Sequence, residues 1–209
     1  MPTHPADPLF SPADQAWVAP RSGLPTASPS AREWPDPLAA PASGDVLCAS
    51  TLSLVPWRLA DAGSLAALLS DESLWRWLPE PDPGALDPER ARALVIAANA
   101  TPERDIVRAL WGDGRAQGQV RLTLSACDQS GELSYWLGQK ARGRGLASKM
   151  VSATIARAFA NLPHLRRLRA RVHSANHASA RVLAKAGFVL DSAKGDWHWL
   201  HLRRRAHAV

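Results

Sequence analysis

The 209-residue chain predicts one α/β domain of the α+β type, with a mixed, mostly antiparallel central sheet flanked by helices. Three observations predict it. Short alternating apolar segments recur between stretches of helical periodicity, the pattern of strands and helices packed in layers. The apolar and charged shares, 46% and 21%, are those of a chain that buries a core. Ten of the 17 prolines fall within residues 1–50, which leaves about 160 residues for a single domain, a size that suits one core.

The elements follow in order. Residues 1–50, rich in Pro, Ala, Ser and Asp, show neither helical nor strand periodicity and are expected to be a disordered leader. Leu52 to Leu59 is a strand candidate, with Pro56 marking an edge or bulge. Asp61 to Leu69 suits a helix capped by Asp61, and Glu72 to Leu78 a second short helical piece. Glu89 to Ala100 has helical periodicity after a proline-rich stretch. Asp105 to Trp111 and Gln119 to Leu124 alternate as strands about a Gly-rich turn, and Glu132 to Leu137 is another. Gly143 to Asn161 forms a long helix stopped by Pro163, with Leu146, Met150, Val151, Ile155, Ala158 and Phe159 inward. Arg167 to Val172 alternates as a strand, Asn176 to Lys185 is a helix closed by Gly187, and strands follow near Phe188 to Leu190 and Trp197 to Leu202.

Composition excludes several classes. No apolar run is long enough to span a membrane, and residues 1–50 lack the basic start and apolar run of a secretory signal. Cys48 and Cys127 are too few for a disulfide scaffold and have no metal-ligand spacing, so a cytoplasmic setting and no metal are expected. His173, His177, His198 and His201 likewise lack a carboxylate or cysteine at metal spacing. The net charge of +6 is unevenly placed. Residues 1–50 carry two Arg against five acidic side chains, residues 51–138 carry 8 basic against 12 acidic, and residues 139–209 carry 15 basic against Asp191 and Asp196 alone. A polyanion is therefore expected at the last third, and the acidic middle third would suit a cationic amine.

The chemistry concentrates between Glu132 and Phe188. Arg142-Gly143-Arg144-Gly145-Leu146-Ala147 opens the long helix. Glycines there let the backbone turn its N–H groups toward a ligand, and the first helical turn adds unpaired donors and the positive end of the helix dipole. Such a loop suits a pyrophosphate. It lacks the Lys-Ser or Lys-Thr of a nucleotide P-loop and the full dinucleotide glycine pattern, and by itself a glycine pair before a helix also serves as a plain turn.

Three ordered motifs carry a resemblance. Glu132-Leu133-Ser134-Tyr135-Trp136-Leu137, the loop Arg142 to Ala147, and Asn176 to Phe188 resemble the strand, pyrophosphate loop and strand-loop-helix of the GCN5-related N-acetyltransferase (GNAT) superfamily, in its ribosomal-protein-alanine acetyltransferase-like branch. The resemblance spans roughly residues 52 to 204, with an N-acetyltransferase domain at 51–205 after the leader at 1–50. It departs in places: Lys140 stands three residues before Gly143 where the family has Gln or Arg, Ser134 replaces a glycine, and Leu183 stands where many members carry a tyrosine acid.

What the resemblance implies is acetyl transfer from acetyl-CoA to a primary amine, by direct attack with general-base help. The acceptor would be a protein N-terminus or a small cationic amine. Tyr135, Trp136, Leu137, Arg142, Gly143, Arg144, Gly145, Leu146, Ala147 and Asn176 would hold the coenzyme. Glu132 is the candidate base, since an apolar strand would raise its pKa; a solvent-facing or salt-bridged glutamate is the alternative. Ser179 is the candidate acid by resemblance, although it equally suits the first turn of a helix capped by Asn176. Tyr135 better suits packing, and Trp75 and Trp77 suit the core or a cleft wall. A homodimer is left open, and nucleic acid is disfavoured because coenzyme A, with its phosphates, explains the local charge. The competing reading is a non-catalytic module that senses acetyl-CoA or binds nucleic acid through the basic last third.

Overall fold

The computed structural model describes residues 36–39, 51–78, 84, 86–125 and 129–205. Seven strands form one sheet in the order β1-β2-β3-β4-β5-β7-β6: Ser53–Val55 (β1), Asp105–Gly112 (β2), Arg115–Leu124 (β3), Ser130–Leu137 (β4), Arg167–His173 (β5), Val189–Lys194 (β6) and Trp197–Arg203 (β7). Every neighbouring pair is antiparallel except β4 with β5. Five helices flank it: Ala62–Leu69 (α1), Glu72–Trp75 (α2), Pro88–Ala98 (α3), Leu146–Asn161 (α4) and His177–Lys185 (α5). The expected fold class is the one observed.

Period-2 alternation sorts side chains onto two faces, and each face has its own core. Ile106 and Leu110 of β2, Val120, Leu122 and Leu124 of β3, and Leu133 and Leu137 of β4 meet Met150, Val151 and Ala158 of α4 and Leu183 of α5. On the opposite face Val107, Ala109 and Trp136 meet Leu65 and Leu69 of α1, Trp75 of α2, and Leu94 and Val95 of α3. The start of α4 and α5 therefore lie over one face, and α1 to α3 over the other.

The turn between β2 and β3 is shorter than expected. Asp113 and Gly114 both have positive φ, 53° and 72°, the mirror-image turn that matches strand twist, so β3 begins at Arg115 rather than Gln119. The expected first strand shrinks to Ser53–Val55, followed by a short 3-10 turn at Leu59–Asp61.

Part of the expected leader is built into the domain. Leu38 is fully buried in the α4-side core. Asp36 grips the Arg108 guanidinium through both oxygens, at 2.6 and 3.2 Å. Arg157 Nη1 donates to the Leu38 carbonyl at 3.0 Å, and Asn161 Nδ2 donates to the carbonyls of Pro37 and Ala39. Pro37 and Leu38 form the corner of a turn closed by the Ala39 N–H donating to the Asp36 carbonyl at 2.9 Å, which sets one apolar side chain and one carboxylate against β2 and α4; the rest of the leader expected over 1–50 lies outside the described residues. Among the described residues no helix is long and apolar enough to cross a membrane.

Candidate active site

The parallel pair β4/β5 holds only three rungs, Ser130 with Arg167, Gly131 with Leu168 and Glu132 with Arg169. Beyond Glu132 the strands part, while β4 stays paired with β3 up to Leu137. The β5-side edge of β4 thus opens into a cleft of about 1010 Å³, lined by Ser134 to Leu137 on one side and Ala170 to Val172 on the other. A strand edge without a neighbouring strand presents backbone donors and acceptors that a ligand can pair.

At one end of the cleft lies the start of α4. Gly143 and Gly145 have φ of 75° and 74°, and Gly145 is the N-cap. A side chain at either position would meet no atom within 4 Å, so the glycines are needed for their backbone conformation and not for space. The kink turns the first helical turn, Leu146 to Ser148, onto the cleft, where its N–H groups and dipole favour an anion. An elongated ligand with a phosphate end fits this arrangement.

The two loop arginines have partners within the protein. Arg142 lines the cleft, but its Nε donates to the Leu137 carbonyl at 2.9 Å, Nη1 to Ser73 Oγ at 2.7 Å, and Nη2 to the Asp71 carboxylate at 2.7 Å. Its guanidinium ties the Arg142 to Ala147 loop to α2. Arg144 pairs with Asp113 at 3.1 Å and is not among the residues lining the cleft. Gly143, Gly145, Leu146, Ala147, Tyr135, Trp136, Leu137 and Asn176 do line it.

Glu132 lies at the last rung, on the same strand face as Ser134 and Trp136, and lines the cleft. Burial raises its carboxyl above the usual glutamate range, with Arg171, Arg169 and Arg121 opposing. Ser179 sits in the first turn of α5; its N–H donates to Asn176 Oδ1 at 3.1 Å, the expected cap. Tyr135 Oη donates to the Ser179 carbonyl at 3.3 Å, and burial pushes its phenol up to about 12. Tyr135 thus braces α5 against β4. Leu183 is buried in the core, so no proton donor stands there.

Glu132 is on the α1 to α3 face and Tyr135 on the opposite one, so donor and acceptor would approach through different halves of the cleft. The α1 to α3 half also contains Asp105 and Trp197, which the sequence reading passed over, beside Trp77, which it placed in the core or at a cleft wall. Asp105 receives both Nε and Nη2 of Arg121, each at 2.6 Å, and the Thr123 hydroxyl at 3.0 Å. Trp77 and Trp197 line the cleft, whereas Trp75 packs in the core with Nε1 donating to the Leu69 carbonyl. Cross-strand pairing of Arg171 with Trp199 and His173 with Trp197 could have been found only by knowing that β7 lies beside β5. Among the described residues no group of three or more His, Cys, Asp or Glu side chains gathers as a metal site.

A family model described as an acetyltransferase (GNAT) domain matches residues 51–189. The chain belongs to the GNAT acetyltransferase family. It is an acetyl-CoA-dependent N-acetyltransferase, and coenzyme A complexes recur among the solved structures of similar fold. One is RimL, the ribosomal L7/L12 alpha-N-protein acetyltransferase in complex with coenzyme A. It is 18% identical, with a TM-score of 0.66 over 73% of this chain and 94% of that one. Mycobacterium smegmatis RimJ in complex with CoA-disulfide is 21% identical, with a TM-score of 0.62 over 74% and 83%. The microcin C7 self-immunity acetyltransferase MccE, in complex with acetyl-CoA and AMP, is 13% identical, with a TM-score of 0.66 over 74% and 93%. These likenesses are of fold. No curated protein sequence matches the chain.

Proposed function

We propose that this acetyltransferase modifies the amino group at a protein N-terminus, with Glu132 as general base and Ser179 as proton donor to the leaving thiolate. The observation that carries the reading is the parting of β4 from β5 just past Glu132, which sets a buried carboxyl beside an open strand edge and the start of α4. The RimL and RimJ likenesses support a protein acceptor, since RimL is an alpha-N-protein acetyltransferase.

The acceptor enters from the α1 to α3 face as the neutral amine, and its nitrogen bonds to the thioester carbonyl carbon to give a tetrahedral oxyanion. The surplus N–H proton of that adduct passes to the Glu132 carboxylate as the carbon–sulfur bond breaks. Backbone N–H groups along the Ser134 to Leu137 edge stabilise the oxyanion, and the thiolate takes the Ser179 hydroxyl proton, which solvent replaces. Of the coenzyme residues expected from sequence, the backbone of Gly143 to Ala147 takes the pyrophosphate. Arg142 supports that loop through its side chain.

Incubation with acetyl-CoA and peptides bearing unblocked N-termini, read by mass spectrometry, tests the reading. Acetylation confined to the α-amino group is expected. Acetylation of lysine side chains alone would overturn it. A thermal-shift titration adds a control: acetyl-CoA should raise the midpoint and duplex DNA should not.

A further inference from the structure

Charge on the acceptor half of the cleft narrows what it can take. The carboxylates lining the cleft, among the described residues, are Asp105 and Glu132. Asp105 is held by Arg121 through both oxygens. Glu132 has arginines 121, 169 and 171 around it and is needed as the base. Against them stand Arg104 and Arg171, also lining the cleft, while Arg121 is taken up by Asp105.

The wall of this half continues the pattern. The Arg76 guanidinium lies 4.2 Å from the Trp77 ring centre, Trp77 meets His173 edge-on at 5.8 Å, His173 meets Trp197 edge-on at 5.3 Å, and Arg171 lies 5.2 Å from the Trp197 ring. Five side chains therefore form one row, with a cation at each end of an aromatic stretch. A guanidinium beside an aromatic ring keeps its positive charge, and that charge attracts a carboxylate. An acceptor with further positive charge would meet Arg76, Arg104 and Arg171, whereas one with negative charge would meet complementary donors.

We infer that the acceptor is an acidic peptide N-terminus, its free amine directed at Glu132 and the carboxylates that follow received by Arg104, Arg171 and the Arg76–Trp77 end of the row. This rests on the transfer reading above and specifies its substrate. The acidic middle third does not by itself favour a cationic acceptor. Asp61, Asp71, Asp105 and Asp113, all in the acidic middle third, are spent on Arg58, Arg142, Arg121 and Arg144.

The test is calorimetric binding of three peptides to the full chain saturated with coenzyme A. All share the same first residue and differ only in carrying Asp and Glu, Ser and Gln, or Lys in the next positions. The acidic peptide should bind about tenfold more tightly than the neutral one and the basic one more weakly still, with the preference shrinking at high salt. Arg76→Gln, at an exposed position, should lose part of the preference, and Arg171→Gln most of it. Equal binding of all three, no binding of any, or tighter binding of the basic peptide would overturn the inference. An acidic peptide that binds but is not acetylated would count against the transfer reading alone.

Discussion

The Arg142 guanidinium holds three oxygens on two elements: the Leu137 carbonyl at the end of β4, and Ser73 Oγ and the Asp71 carboxylate at the start of α2. Because α2 leads directly to Trp77 on the acceptor wall, Arg142 is best understood as a positioning residue. Asp71→Asn keeps the shape and removes the charge. It should raise the acceptor KM severalfold while leaving the acetyl-CoA KM nearly unchanged, as steady-state kinetics with each substrate varied would record. Arg142→Lys should raise both KM values, since an ammonium lacks the planar fork that braces the Gly143 to Ala147 loop as well as α2. At Glu132 the raised carboxyl links chemistry to stability. Its folded-state pKa lies above the unfolded one, so the stability this group contributes is full at low pH and lost as pH rises through the folded value. Glu132→Gln should therefore leave the thermal midpoint unchanged in acid and raise it in mildly alkaline buffer. Turnover should fall about 10²- to 10⁴-fold, and the acid limb of the wild-type rate profile should disappear. A retained acid limb would assign the proton to another group. The places of Glu132, Asn176 and Ser179 at the cleft were legible, the first from strand alternation and the other two from the helix-capping pattern. The side-chain fates of Arg142 and Arg144 were not, since Asp71 and Asp113 lie some 70 and 30 residues away (|i−j| of 71 and 31) and only folding brings them near.

At the scale of elements, α4 shows how a helix start becomes a binding surface. Gly145 caps it with φ of 74°, a conformation costing an L-residue roughly 1 kcal/mol or more. Gly145→Ala should thus destabilise the fold by about that much and weaken acetyl-CoA binding. Gly63→Ala, within α1 and with nothing near its would-be Cβ, should instead stabilise by about 0.4–1 kcal/mol with affinity unchanged. Chemical denaturation and acetyl-CoA titration of both variants distinguish a conformational demand from a general dislike of substitution. Most elements were readable from period and punctuation, since α4 and β5 carry clean 3.6 and 2 patterns, although α4 starts at Leu146 and not at Gly143 because Gly143 and Gly145 take positive φ. The β2–β3 hairpin misled at its edge: Arg115 to Gly118 looks like a turn because its polar side chains and glycine hide the strand that an Asp-Gly turn makes possible.

At the scale of the molecule, the uneven charge of the chain resolves into internal pairing plus a cleft. Asp71 and Asp113 from the acidic third neutralise Arg142 and Arg144 from the basic one, so segment totals overstated both the cationic loop and the acidic acceptor side. The domain also reaches back into the segment set apart as a leader. Leu38→Ala should cost about 2–5 kcal/mol by emptying a fully buried site. A chain beginning at residue 51 should be markedly less stable than one beginning at residue 36, since it leaves the Arg108 side chain, 6% exposed, without Asp36. Denaturation midpoints of the two would record the difference. Four residues of that kind carry no periodicity to reveal them; only the placement of Arg108 and Arg157 gives them meaning. The central claim is that acetyl-CoA lies in the cleft opened between β4 and β5, against the start of α4. Amide hydrogen exchange with and without acetyl-CoA tests it most directly. Slowed exchange should concentrate at residues 134–137 and 143–148, with the far edge of the sheet at β1 unchanged. Protection that spares both of those segments while appearing elsewhere would contradict it.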